Sequence, residues 1–351
     1  MTESKSGRRR VTLRDVASEA GVSLKTASNV INGSGRMTNT TRLRVEQVIR
    51  ELGYRVNVAA RNLNRDRTGF ITLAVPSLTP PYLAELANRT IDAARDLGYS
   101  VYVTTYAEGS GKGARAILKS FNSTVSDGMI LSMSEVEAID PKDLEVDFPL
   151  VVVGARTTWN QADHVTPDDV QAAAMAAAYL FDHGSHRLAV IGARERYDEK
   201  ALEAALEGNA ELRLRGVIEE CRRQGAALDA RLVGVNGQDW TIGSGARAMQ
   251  QLIDNGVGFD GVVALNDQLA IGALFTLTSN GIKVPRDVQV IGFDNIEESA
   301  YLQIPLTTMD SRLDWTAPTA VRRILQRIDG GVERPELLTT NSKVIARSTT
   351  R

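Results

Sequence analysis

From residue 70 onward the chain alternates short apolar runs with amphipathic stretches, and few folds accept that order. The apolar runs fall at 70–75, 100–104, 128–131, 150–153, 188–191, 231–235, 261–265 and 288–292. Helical stretches lie between them at 82–97, 114–120, 170–183, 212–224, 242–255 and 268–280. Strand–helix alternation over so many units predicts a parallel sheet with helices on both faces. About 280 residues of it exceed one core and imply two lobes. Parallel sheets bind ligands beyond the carboxyl ends of their strands, so two lobes would hold a small molecule in the cleft between them.

The first 67 residues read differently. They carry 14 basic and 6 acidic residues, a net +8, whereas the remainder carries 27 basic and 37 acidic, a net −10. A basic head on an acidic body concentrates positive potential where a polyanion would dock. Thr12 and Asp15 have the spacing of a helix start, and Leu13, Val16, Ala17 and Ala20 form one apolar stripe. Gly21 ends that helix, and Ser23 caps a second over 24–31, with Ala27, Val30 and Ile31 facing inward. Thr38 caps a third, where Val45, Val48, Ile49 and Leu52 face inward and Gly53 ends it. Two short helices joined by Gly21-Val22-Ser23 have helix-turn-helix spacing. The outer side of the second carries Lys25, Ser28 and Asn29, which can reach base edges in a major groove.

The segments Val11–Ala17, Ala20–Ser23, Thr26–Asn32, Leu52–Tyr54 and Ala59–Leu63, in that order and spacing, resemble the headpiece of the LacI/GalR family of transcription regulators. The resemblance implies that Leu24, Lys25 and Asn29 read bases, while Thr12, Ser23, Thr26, Ser28, Asn32 and Thr41 hold phosphates. Phosphate contacts set position and base contacts set sequence preference. Residues 57–63 resemble the family's hinge helix, with Ala59, Ala60 and Leu63 at its minor-groove positions and Leu63 as the wedge that bends DNA. Two departures stand out. Asn29 replaces the family's usual arginine, and asparagine pairs with adenine where arginine pairs with guanine. Val56 replaces a usual proline, which leaves the hinge entry without a fixed φ.

The body resembles the periplasmic-binding-protein-like sensor of the same family. The carrying segments are Ser126–Leu131, Asn266–Ala273, Val290–Asn295, Pro305–Thr308 and Ala346–Thr349. The resemblance implies an all-α helix-turn-helix headpiece over 1–56, a hinge helix and linker over 57–67, and an α/β effector-binding body of two parallel-sheet lobes over 68–351. Lobe 1 is expected at about 68–167 and 309–335, lobe 2 at about 168–308 and 336–351. Arg213, Asn266 and Asp294 match effector-contact positions and Trp240 an aromatic one; Tyr82, Leu86 and Thr166 would line the other lobe. That set suits a polyhydroxylated ligand: arginine donates, aspartate accepts, asparagine does both and an indole face packs on a sugar ring. Asn266 and Asp294 equally fit turn chemistry after a strand, Arg213 a surface ion pair, and Trp240 plain core. The partners implied are palindromic double-stranded DNA, a small-molecule effector of carbohydrate type and a second copy of the chain in a homodimer.

Other chemistries lack their residues. No apolar run approaches the ~18 residues of a membrane span, and the start of the chain has no secretory signal pattern, so a cytoplasmic location is expected. One cysteine, Cys221, excludes an intramolecular disulfide or a cysteine metal site. The Gly-Ser-Gly-Lys-Gly run at 109–113 lacks the leading glycine of a phosphate loop and has Gly113 where serine or threonine would bind magnesium. No nucleophile motif is present, and His183 and His186 have no companion ligand. The expectation is a non-enzyme without cofactor or metal. A solute-binding protein would share the body but has no use for the basic head.

Overall fold

The computed structural model describes residues 11–31, 35–54, 67–106, 112–133, 139–331 and 334–351. They fall into two units, one ending at Thr68 and the other running from Gly69 to Arg351.

The first unit holds three helices, α1 (Leu13–Glu19), α2 (Leu24–Ile31) and α3 (Asn39–Leu52). Local chemistry sets their ends. Thr12 and Asp15 form a reciprocal capping box at the start of α1, with Thr12 N donating to Asp15 Oδ2 at 2.8 Å. Ser23 Oγ accepts from Thr26 N at 3.0 Å and Thr38 Oγ1 from Thr41 N at 3.3 Å. Gly53 ends α3 at φ 62°, a conformation that costs a residue without Cβ little. Val16, Ala17, Ala20, Ala27, Val30, Val45 and Val48 are the buried core.

The second unit is the two-lobed α/β body. Its strands are β1 (Phe70–Val75), β2 (Ser100–Thr105), β3 (Met129–Ser132), β4 (Leu150–Val153), β5 (Asp163–Pro167), β6 (Leu188–Ala193), β7 (Val233–Val235), β8 (Gly261–Ala264), β9 (Gln289–Phe293), β10 (Thr307–Asp310), β11 (Leu337–Thr340) and β12 (Lys343–Ile345). Its helices are α4 (Pro81–Asp96), α5 (Lys112–Lys119), α6 (Asp169–Asp182), α7 (Glu199–Glu203), α8 (Asn209–Arg223), α9 (Ile242–Asp254), α10 (Asp267–Ser279) and α11 (Leu313–Ile328). One sheet runs β11-β5-β4-β3-β1-β2, the other β12-β10-β9-β8-β6-β7. Every pairing is parallel except β10 with β12.

The chain crosses between lobes three times: after β5, after β10, and between β11 and β12. The lobe boundaries differ from the sequence expectation. β10 stays with lobe 2 through Asp310, because Met309 pairs with Phe293 and Asp310 with Lys343. Lobe 1 keeps β11 through Thr340, because Leu338 pairs with Val165. Three crossings near one another let the lobes change angle as bodies, the usual hinge geometry.

Two glycines bring helix pairs into backbone contact in lobe 2. A Cβ on Gly216 of α8 would stand 2.2 Å from Val170 O of α6, and one on Gly272 of α10 would stand 2.1 Å from Ile242 O of α9. The first approach sets Arg213, one turn before Gly216, beside Asp169, the residue before Val170.

Candidate functional site

The head presents α2 outward. Leu24 is 45% exposed and Lys25 is exposed, while Ser28 and Asn29 are half-buried. The Asn29 amide lies against Gly35, whose Cβ would come within 2.6 Å of its Nδ2. Thr12, Ser23, Thr26 and Thr41 sit at the starts of the three helices, where unpaired backbone N–H groups and the helix dipole favour an anion. Their hydroxyls already serve local bonds: Thr12 to Asp15 at 2.7 Å, Ser23 with Thr26 and Thr41 with Thr38, both at 2.9 Å. Asn32, Ala59, Ala60 and Leu63 lie outside the described residues, as does Val56.

In the body a cavity of ≈ 310 Å³ opens between the lobes at the carboxyl ends of their strands. Residues after β1, including Thr79 and Tyr82, wall it from lobe 1. Lobe 2 contributes Asn209 and Arg213 of α8, Gln238, Asp239 and Trp240 after β7, Asn266 after β8, Gln268, and Asp294 after β9. Parallel sheets aim their loops and helix starts this way, so residues far apart in sequence converge.

Arg213 is the centre of the cluster. Its Nε donates to Asp169 Oδ1 at 2.7 Å and its Nη1 to Leu265 O at 2.5 Å. Its Nη2 lies 3.8 Å from Asp294 Oδ1, and the guanidinium packs 4.5 Å from the Phe293 ring centroid and 6.0 Å from that of Trp240. A planar delocalised cation tolerates such a site because both its edges and its faces find partners. Trp240 donates through Nε1 to Gly192 O at 3.1 Å, which fixes the indole plane at the cavity wall.

Asn266 caps α10, accepting from Leu269 N at 2.8 Å, and donates to Trp240 O at 3.1 Å. Turn chemistry and cavity lining therefore coincide in it. Asp294 has φ 102°, and its Oδ1 accepts from Ser311 Oγ at 2.9 Å. Burial raises the Asp294 carboxyl above its ordinary range, against the opposing pull of Arg213 and the Ser311 hydroxyl. Tyr82 is raised too, by burial first and then by the negative charge of Asp294 and Asp169, so its hydroxyl stays protonated. Tyr82 and Asp294 also border a second hollow of ≈ 520 Å³ on the side of β10 and α11.

Two residues expected in the cleft are elsewhere. Leu86 is 1% exposed in the lobe 1 core with Ile71, Leu73 and Val151, because one helical turn after Tyr82 the face of α4 has dropped into that core. Thr166 is buried in β5, where Thr339 pairs with it and its hydroxyl donates to Pro167 O. The reading from residue types missed Asp169, Gln238, Asp239 and Gln268. The strand-end rule that found Asn266 and Asp294 could have found Gln238 and Asp239, which follow β7. Cys221 is buried in lobe 2, and burial pushes its thiol up to about 11. Among the described residues no helix is long and apolar enough to cross a membrane, and no group of three His, Cys, Asp or Glu could hold a metal.

Known proteins share both units. The family described as "Bacterial regulatory proteins, lacI family" matches residues 12–57, and the "Periplasmic binding protein-like domain" matches residues 177–350. The HTH-type transcriptional repressor CytR of Escherichia coli is 30% identical over 303 residues, covering 85% of this chain and 84% of the relative. A LacI-type transcription regulator from Bifidobacterium animalis subsp. lactis superposes with TM-score 0.75 at 32% identity, covering 80% of this chain and 99% of its own. The transcriptional regulator CelR in complex with cellobiose superposes with TM-score 0.70 at 26% identity, covering 97% of this chain and all of its own, 100%.

Proposed function

The chain belongs to the LacI family of bacterial regulatory proteins, a helix-turn-helix transcriptional regulator, and on that premise we propose that it is a cytoplasmic homodimeric repressor whose hold on a palindromic operator is set by a carbohydrate in the cleft. One observation carries the reading: a single chain joins a basic three-helix head to a cleft where Arg213, Trp240, Asn266 and Asp294 converge. An indole wall beside amide and carboxylate groups is the chemistry that grips a ring bearing hydroxyls. The similar regulator CelR, crystallised with cellobiose, supports the ligand class.

On this reading Leu24, Lys25 and Asn29 read bases, and the helix starts at Thr12, Ser23 and Thr41 hold phosphates. Ligand in the cleft changes the angle between the lobes. In a dimer that change moves the two heads into or out of register with the half-sites, and the coupling acts equally in both directions. On this reading the work of the cleft is binding, as in the transcriptional regulators the chain is similar to.

The test is selection of bound DNA from a random pool at low and moderate salt. Enrichment of one palindrome is expected, with affinity falling as salt rises. Binding without any enriched sequence would reduce the head to non-specific attraction and overturn the proposal.

A further inference from the structure

Taking the cleft as the effector site, we infer that its ligand is uncharged: a hydroxyl-bearing molecule without a phosphate or carboxylate group. Among the described residues lining the cavity, Arg213 is the one cation, and most of it is engaged within the protein. Asp169 takes its Nε, the Leu265 carbonyl takes Nη1, aromatic rings cover its faces, and Asp294 faces Nη2. Its side chain is 5% exposed. An anion approaching the Nη2 edge would sit beside the Asp294 carboxyl, 3.8 Å from that nitrogen, and close to the buried Asp169, so it would meet carboxylates as it met the cation.

The remaining charges are negative. Asp294 faces the cavity at 3.8 Å from Arg213, and Asp239 also lines it, in an ion pair with Arg247 at 2.8 Å. The adjoining hollow beyond Tyr82 adds Glu297, Glu298, Asp310 and Asp314, against Arg89, which pairs with Glu85 at 2.6 Å. Among the described lining residues a phosphate ester would face these carboxylates while Arg213 and Arg89 are already paired, and like-charge juxtaposition is a strong means of rejecting a partner. What the walls do offer is neutral: the amides of Gln238, Gln268 and Asn266, the Tyr82 phenol and the Trp240 indole. Asp294 adds an acceptor suited to sugar hydroxyls, which are good donors.

The experiment is calorimetric titration of the full-length protein with matched pairs. Each free sugar (glucose, galactose, ribose, cellobiose) is compared with its phosphate ester, and inorganic phosphate serves as the bare anion. The expected result is binding by a free sugar with its ester at least ~100-fold weaker, and no heat from inorganic phosphate. The Asp169→Asn variant, which loosens Arg213 from its partner, is expected to narrow that gap by about ten-fold. An ester that binds as tightly as its free sugar, or competition by inorganic phosphate, overturns the inference while leaving the carbohydrate reading intact. Silence from every member of both series, with operator binding retained, overturns the carbohydrate reading itself and this inference with it.

Discussion

Asp169 and Arg213 join the first turn of α6 to α8 through a 2.7 Å ion pair in which both side chains are 5% exposed. The pair exists because Gly216 lets the two helices meet backbone to backbone. Breaking a buried pair from one side leaves the other charge without compensation. Asp169→Ala is therefore expected to destabilise the body by about 3–5 kcal/mol, read as a fall in the urea midpoint at unchanged slope. A loss under about 1 kcal/mol would mean that Leu265 O and Asp294 suffice to hold the guanidinium.

Gly272 plays the same packing role between α9 and α10. Gly272→Ala puts a methyl 2.1 Å from Ile242 O, which is backbone and cannot step aside cheaply. The helix-propensity gain of alanine, up to about 1 kcal/mol, is smaller than the overpacking cost. A net loss of about 1–3 kcal/mol is expected by chemical denaturation. An unchanged or raised midpoint would show that the two helices can slide apart.

Much of this architecture was legible in the chain because the signals are local. The head's three helices announce themselves through Thr12 with Asp15, Ser23, Thr38 and the two glycines that end them. β6 and β8 are continuous apolar runs because both their faces are buried. β5, β10, β11 and β12 carry no such signal: all are short, and β5 and β10 hold Asp163, Thr307 and Thr308, polar residues whose partners lie elsewhere in the chain. Asp163, for instance, is wholly buried only because Arg323 and Arg327 of α11 reach it. The cleft divides the same way. Asn266 and Asp294 sit directly after strands and follow from the strand-end rule, whereas Asp169 joins the site through the packing at Gly216. Leu86 matches a family position, yet the face of α4 that carries it packs into the lobe 1 core.

Asn29 offers a test of the head by itself. Its amide sits on the outer side of α2 beside Gly35, and asparagine reads adenine through a bidentate pair. Asn29→Arg is expected to move the preferred base at one half-site position toward guanine, a discrimination of about 1–3 kcal/mol, while leaving the rest of the selected site unchanged. Selection from a random DNA pool reads this directly. An identical site from both proteins would remove Asn29 from the base-reading set.

Asp163 makes the acid limb of stability specific. Burial would raise its carboxyl, but the hydrogen bonds from Arg327, Arg323 and the Glu336 amide outweigh burial and bring it below the ordinary range. A carboxyl depressed in the folded state contributes stability that is complete above its unfolded value of about 3.9 and is lost as pH falls through the folded value. Asp163→Asn is expected to cost about 3 kcal/mol at pH 7 and to flatten the decline below about pH 4. Urea midpoints for both proteins across that window check it. Parallel declines would assign the acid sensitivity to other carboxylates.

Asp294 sets function against stability. Its φ of 102° is a region side chains avoid, and the next residue, Asn295, is also left-handed at φ 55°. Strain of this kind costs about 1–3 kcal/mol per residue and persists where the surroundings enforce it. Here Ser311 holds the Asp294 carboxylate, Thr308 Oγ1 accepts from Asn295 N, and Arg347 donates to the Asn295 side chain at 2.6 Å. Burial adds a second cost, since a carboxyl raised by the fold ionises less readily there than in the unfolded chain. Asp294→Gly removes both the strained Cβ and the buried charge. The expected result is a body more stable by about 1 kcal/mol, operator affinity retained, and no response to effector. A fall in stability would mean that the bonds to Ser311 and the attraction of Arg213 outweigh the strain. A surviving effector response would take Asp294 out of the ligand site and leave its left-handed turn as a feature of the fold alone.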